Sequence, residues 1–274
     1  MRILLAGGTG FVGKHFRRRL ERDGHEIVLF TRHGTITTLM NETYDTIINC
    51  AAELDTPEFM EDSNVTLVQD LLWACKRKGS RMIQLGSSSE TGPVEGPRSE
   101  TTFCRPTNFY EATKLAATNL CLGYAGEWNV NVAVARPFSL YGSHDKLRKM
   151  LPTLWRAYRD NFPFSCFCGG HDWTHIDDFA EGIVKLLGAP REITQGQIFH
   201  FGTGRSTSNE EIVRLFEAAV GKKLDVTYHT GRFRYYDVMD WRADWSKAKT
   251  LGWEPKVTIE EGVRRFVEEQ QSQT

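Results

Sequence analysis

The sequence predicts an α/β fold, a parallel sheet covered by helices on both faces, with a smaller C-terminal lid. Three observations carry that expectation. Five short apolar runs recur through the first half of the 274 residues, amphipathic stretches alternate with them, and a glycine-rich turn follows the first run directly. RILLA (2–6), EIVLF (26–30), DTIINC (45–50), RMIQLG (81–86) and VNVAVARP (130–137) are apolar or β-branched along nearly their whole length and end at turn residues. Strands buried on both faces read this way. Helical patterns near 11–23, 62–78 and 107–126 lie between them, giving the βαβ rhythm of a doubly wound sheet. Beyond about residue 142 the rhythm breaks into helix-like pieces at 150–160, 178–187, 208–220 and 258–270, among most of the tryptophans. The expected organisation is therefore a dinucleotide-binding part, 1–142 with returns from about 172–202, and a lid from about 143–171 and 203–274.

Composition excludes several function classes. The net charge is −1 and no run of five or six like charges occurs, so neither nucleic acid nor an anionic membrane surface is an expected partner. No apolar run approaches the ~20 residues of a membrane span. The chain opens on a strand-like segment and not on a signal peptide, which predicts a cytoplasmic protein. The six cysteines, Cys50, Cys75, Cys104, Cys121, Cys166 and Cys168, are scattered among mostly apolar neighbours. They read as reduced thiols, and no metal site is expected.

The turn AGGTGFVGKHF (6–16) links the first strand to the first helix. Gly7, Gly10 and Gly13 give the spacing G-x-x-G-x-x-G, and Gly8 adds G-x-G-x-x-G. Such a turn brings bare backbone amides against a pyrophosphate at the positive end of a helix. Gly7, Thr9, Gly10, Phe11, Val12 and Gly13 are thus expected against a dinucleotide, in a Rossmann sheet. At the end of the second strand, where an acidic residue would accept from a bare ribose 2′-hydroxyl, stand Thr31 and Arg32. A guanidinium pairs with a phosphate instead, so the sequence predicts NADPH in preference to NADH.

FYEATKLAA (109–117) places Tyr110 and Lys114 on one face of a helix, four residues apart. A free phenol titrates near 10, and an adjacent ammonium would bring it toward working range as a proton donor and acceptor for a carbonyl. LGSSSETG (85–92), at the C-terminal end of a strand where open sheets bind ligands, offers the hydroxyl that would hold the same oxygen.

Together GGTGFVG, IINCAA, GSSSETG, YEATK and RPFSLYG, in this order, resemble the extended short-chain dehydrogenase/reductases, the NAD-dependent epimerase/dehydratase family of nucleotide-sugar enzymes. DWTHIDD (172–178), FGTGRSTSNEEI (201–212) and LGWEPKVTIEEGVRR (251–265) extend the resemblance over nearly the whole chain. It implies catalytic roles for Tyr110, Lys114 and Ser87, with Ser88 in reserve. It also implies that Lys114 holds the nicotinamide ribose, that Ala51, Ala52 and Pro137 lie against the cofactor, and that Asn64 supports the site. Ser88, Ser139, His171 and Arg234 are implied substrate contacts. Dehydratases of the family carry Asp-Glu where this chain has Ser88 and Ser89, and decarboxylating relatives carry glutamate at Ser89, so neither reaction is expected. The reading is NADPH-dependent reduction of a keto group, at C4, on a nucleotide-linked sugar. Its alternatives are a 4-epimerase that keeps its cofactor bound and a non-catalytic scaffold. The resemblance also implies a homodimer. Asp177, Asp178 and Glu181 read as a helix cap, His175 as a buried hydrogen-bonding residue, and DVMDWRADW (237–245) as packed lid surface.

Overall fold

The computed structural model describes residues 1–31, 39, 41–233 and 237–272. Six parallel strands form its central sheet: β1 (Arg2–Ala6), β2 (Glu26–Phe30), β3 (Thr46–Asn49), β4 (Arg81–Leu85), β5 (Val132–Pro137) and β6 (Gln197–Phe201). Their order across the sheet is β6-β5-β4-β3-β1-β2, with every neighbouring pair parallel. The chain leaves β1 toward β2 on one side and returns to β3 on the other, so the sheet reverses its winding at β1 and β3. The crevice beyond their C-terminal ends is where such sheets bind ligands.

Alternation along β1 shows how two cores are built. Ile3 and Leu5 face helices α1 (Phe11–Arg22) and α5 (Ile176–Gly188), meeting Phe16, Leu20, Phe179 and Ile183. Leu4 and Ala6 point the other way, toward Val68 and Leu71 of α2 (Leu67–Lys78) and Cys121 and Tyr124 of α3 (Phe109–Trp128). Period-two alternation in a strand covered on both faces requires apolar residues at every position. Truncating a fully buried phenylalanine such as Phe16 or Phe179 would cost about 3–5 kcal/mol.

A third core lies outside the sheet. Helices α4 (Met150–Asp160), α6 (Asn209–Val220) and α7 (Ile259–Ser272) enclose Leu154, Phe216, Val263 and Phe266 beside Tyr141 and Trp173. Asp172 ties this part to the sheet. Its buried carboxylate accepts from the amides of Thr203 (2.6 Å), Gly204 (2.8 Å) and Ala243 (3.0 Å) and from the Thr203 hydroxyl. Four donors compensate its burial.

The stretch expected as one helix from 62 is built in two pieces, and a third precedes it. A short helix Pro57–Glu61 runs into a π-turn, Asp62–Thr66, and then α2. Asn64, inside the π-turn, binds the Glu53 backbone with both ends of its amide (2.9 and 3.0 Å) and also reaches Thr113 Oγ1 of α3 (3.0 Å). The extra residue of the π-turn carries this side chain at the loop that follows β3. At α5, the expected aspartate cap is replaced by His175, whose Nδ1 accepts from the Asp177 amide (3.2 Å). Asp178 turns instead to the amides of Lys256 and Val257 (3.0 and 2.9 Å). His175 is buried, as its sequence context predicts. All six cysteines are free thiols. Among the described residues no helix is long and apolar enough to cross a membrane.

Candidate active site

Backbone fit decides the shape of the glycine turn. Gly7 has φ +76°, and a Cβ there would lie 2.5 Å from the Ala51 amide nitrogen. The turn after β1 is therefore pressed against the turn after β3. A Cβ on Gly13 would lie 2.2 Å from the Gly7 carbonyl oxygen, so the first turn of α1 also packs directly on the loop. Gly10 is different: its Cβ would meet only the Gly7 oxygen, at 3.4 Å, and the residue is exposed. Its bare face is not demanded by the protein's own packing, and it opens into the crevice.

Two cavities meet there. The larger, about 880 Å³, is lined by Gly7, Gly10, Phe11, Val12, Gly13, Cys50 and Ala52 on one side. Ser87, Ser88, Ser89, Tyr110, Lys114, Pro137, Ser139 and His171 line the other. The smaller, about 670 Å³, shares Gly7, Gly10, Cys50 and Ala52 and extends past Thr9, Thr31 and Ala51 to Asp62, Ser63, Thr66 and Asp70. The crevice thus runs from the end of β2, past the glycine turn and the Ala51–Ala52 turn, to the start of α3. Beneath it, Asn49 of β3 donates to Gln84 of β4 (2.9 Å) and accepts from the Ala51 amide (3.1 Å), which sets the Ala51–Ala52 turn.

At the other end the polar side chains converge. Asn108 caps α3, its Oδ1 accepting from the Glu111 amide (3.0 Å), which sets Tyr110 in the first turn beside β4. Tyr110 is half-buried, and burial pushes its phenol up to about 12, while a hydrogen bond with Ser87 acts in the opposite direction. Ser87 also accepts from the Ser89 amide (3.2 Å) and lies 2.7 Å from the Ser89 hydroxyl. Lys114 is buried, and its Nζ donates to the Leu85 carbonyl (2.6 Å) at the end of β4. Burial lowers its pKa, and nearby Glu90 opposes that shift. The direct Tyr110–Lys114 approach expected from helical spacing is thus replaced by a Tyr110–Ser87 bond with the ammonium on a neighbouring carbonyl.

Of the remaining predicted residues, Ser88 accepts from the Trp241 indole nitrogen (3.1 Å). His171 lies near the Trp241 ring, centroid to centroid 6.1 Å. Ser139 lines the cavity while its carbonyl accepts from Thr174 (3.1 Å). Arg32 and Arg234 lie outside the described residues. Trp241 is packed, as expected of that segment, with Phe138, Val238 and Ala243, and its ring, over the fully buried Arg98 guanidinium 3.6 Å away, also lines the cavity, which sequence reasoning missed. Also missed were Lys146, Arg148 and Lys149 at the cavity rim, where Asp55 pairs with Lys146 (3.3 Å) and Arg148. The tetrapeptide KLRK (146–149) was a visible signal.

Comparison with known proteins identifies a family for the chain. The model of the NAD dependent epimerase/dehydratase family matches residues 3–202. A UDP-glucuronate 4-epimerase of Thermodesulfobacterium geofontis is 31% identical over 223 residues, 79% of this chain and 67% of that protein. Among solved structures, a UDP-glucuronic acid 4-epimerase from Bacillus cereus in complex with UDP-glucuronic acid and NAD superposes with a TM-score of 0.90 at 22% identity, all of both chains covered. A dTDP-glucose 4,6-dehydratase from Bacillus anthracis in complex with NAD gives 0.89 at 22%, covering 99% of this chain and 97% of that one.

These complexes hold NAD, which overturns the expectation of NADPH drawn from Thr31 and Arg32. The smaller cavity supplies the physical reason. Among the described residues lining it the charged groups are Asp62 and Asp70, carboxylates that accept from hydroxyls and repel a phosphate. The chain belongs to the NAD-dependent epimerase/dehydratase family.

Proposed function

We propose that this protein is a 4-epimerase of a nucleotide-diphosphate sugar that keeps NAD bound, with a UDP-linked uronic acid as the first substrate to test. The observation that carries the reading is one cavity joining the glycine turn to Ser87, Tyr110 and Lys114, with hydroxyls at Ser88 and Ser89. No carboxylic acid stands at those two positions to expel water, so the cavity is equipped for moving one proton on one oxygen. Identity of 31% with a UDP-glucuronate 4-epimerase supports epimerisation over net reduction.

The crevice fits NAD: Gly10 leaves open the face a pyrophosphate would approach, and Asp62 or Asp70 would receive ribose hydroxyls. The chemistry NAD would supply there is reversible acceptance of a hydride from C4 of the sugar. The rest falls to the chain. Tyr110 would take the proton from the 4-hydroxyl and give it back, and Ser87 would hold that oxygen between the two steps. Lys114 would turn from the Leu85 carbonyl to the nicotinamide ribose. The Lys146, Arg148 and Lys149 side chains at the rim would meet the diphosphate, as cations do. Incubation with UDP-glucuronic acid and catalytic NAD should convert it to its 4-epimer with no net NADH formed. Stoichiometric NADH production, or no conversion with any nucleotide sugar, would refute the reading.

A homodimer belongs to the same proposal. The outward face of α3 is small and apolar at Ala112, Ala116, Gly123 and Gly126, and Phe109, Trp128 and Trp73 of α2 stand exposed around it. A helix apolar on nearly all sides normally has a covering partner. Light scattering at micromolar concentration should give twice the chain mass, and a monomer would count against it.

A further inference from the structure

Directly beneath the catalytic end of β4 lies a charge that the proposed chemistry does not use. Glu90, on the short 3-10 turn Ser88–Thr91, is fully buried and so is Arg136 of β5. One carboxylate oxygen of Glu90 accepts from Arg136 Nε (2.9 Å), Arg136 Nη2 (2.6 Å) and Thr118 Oγ1 (2.8 Å). The other accepts from the Ser87 amide at 2.6 Å. Gly86 makes room for this arrangement. A Cβ on it would lie 2.7 Å from Glu90 Oε1 and 2.8 Å from Arg136 Cγ, so the strand passes directly over the pair.

The geometry points to Glu90 as a positioning residue, one that fixes the Ser87 backbone through its amide and serves as counter-charge to the buried Lys114 ammonium. A replaceable structural pair is the competing account, since buried ion pairs are often no better for stability than apolar residues of the same size. Two features favour positioning. The carboxylate is divided between a guanidinium that anchors it and the amide of the residue proposed to hold the substrate oxygen. The ammonium itself donates to the Leu85 carbonyl, and among the described residues the titratable groups facing Lys114 are Glu90, Cys121 of its own helix and Cys50 of the turn after β3. Both thiols are driven strongly toward the neutral form by burial, so Glu90 is the one charge among these three that can balance the lysine. Removing it would leave Arg136 and Lys114 as like charges in a buried site.

This inference rests on the catalytic roles proposed for Ser87 and Lys114, but its test does not depend on turnover. The protein would be labelled with 13C at lysine Cε, and the Lys114 resonance, assigned with Lys114→Arg, followed through a pH titration in the wild type, Glu90→Gln and the double variant Glu90→Val/Arg136→Met. The double variant removes the pair without leaving a buried guanidinium, so it keeps the experiment decisive if Glu90→Gln does not fold. The expected result is a Lys114 midpoint lower by about one pH unit or more in Glu90→Gln, where the Arg136 charge stays behind. Exchange of the Ser87 amide should also accelerate at least tenfold. Unchanged Ser87 exchange in the folded double variant would overturn the inference, as would an unchanged Lys114 midpoint in folded Glu90→Gln. Absence of epimerisation in the wild type would refute the proposed function and leave this titration to decide Glu90 alone.

Discussion

Gly10→Ala separates a glycine needed for binding from one needed for folding. Gly10 has φ −77° and ψ 177°, a conformation alanine adopts freely, and its new Cβ would meet only one atom, at 3.4 Å. Removing glycine's freedom from the unfolded chain stabilises by about 0.4–1 kcal/mol. For a chain of this size that moves the melting temperature by no more than about 4 °C. NAD at a hundred times its Kd should add about 2.7 kcal/mol to the wild type, a rise of roughly 5–11 °C. In Gly10→Ala the methyl occupies the face a pyrophosphate would approach, so that rise should vanish while the unliganded protein melts normally. Gly13→Ala should behave oppositely. Its Cβ would collide with the Gly7 carbonyl at 2.2 Å, costing about 1–3 kcal/mol before any ligand is added. Differential scanning fluorimetry of the three proteins with and without NAD reads both effects. A Gly10→Ala protein that retains the full NAD shift would refute the placement of the pyrophosphate.

Other consequences follow from the same geometry. Tyr110→Phe should lower kcat by about 10²–10⁴-fold and leave the NAD-dependent melting shift intact, since the phenol's proposed task is proton transfer. Arg148→Ala and Lys149→Ala should each raise KM for a diphosphate-linked sugar by about threefold to tenfold with kcat little changed, and the effect should shrink as salt rises. His200 should make the protein acid-sensitive. Burial and Arg136 drive its pKa down to about 3, against about 6.5 when unfolded. Between those values the unfolded chain holds the extra proton, so the contribution is complete above about pH 6.5 and lost as pH falls toward 3, up to an upper limit of about 5 kcal/mol. Urea melts of wild type and His200→Gln between neutral and acid pH should converge as pH falls, and parallel loss in both would contradict this.

What the sequence showed and what it hid have physical causes. β1, β3, β4 and β5 were legible because both faces of each are covered, which leaves an uninterrupted apolar run. β6, QIFHF, was outside those runs because His200 and Gln197 break it; His200 is accommodated by the Arg98 carbonyl (3.0 Å). The glycine turn was legible because backbone contact leaves no alternative at Gly7 and Gly13. The π-turn was not, since the captured Glu53 backbone that stabilises it is distant in the chain from α3, its other contact. Tyr110 and Lys114 could be singled out from spacing and Ser87 from the family resemblance, yet the bonds these side chains make could not. Lys114's bond to the Leu85 carbonyl and Glu90's hold on the Ser87 amide depend on how β4 passes between β3 and β5. The cavity lining by Trp241 went unseen because an indole that packs on Arg98 beside a cavity looks, in sequence, like any other packed lid tryptophan. The cofactor expectation failed for a related reason: one arginine after β2 says nothing of Asp62 and Asp70, which the π-turn and α2 bring to the smaller cavity.

The central claim is that one hydride leaves and returns to the same carbon within a closed site, with Tyr110 handling only the hydroxyl proton. Epimerisation of UDP-glucuronic acid deuterated at C4, run in ordinary water with catalytic NAD, tests it directly by proton NMR and mass spectrometry. The account predicts a 4-epimer that keeps its deuterium at C4. Product carrying a solvent-derived hydrogen at C4 would contradict it.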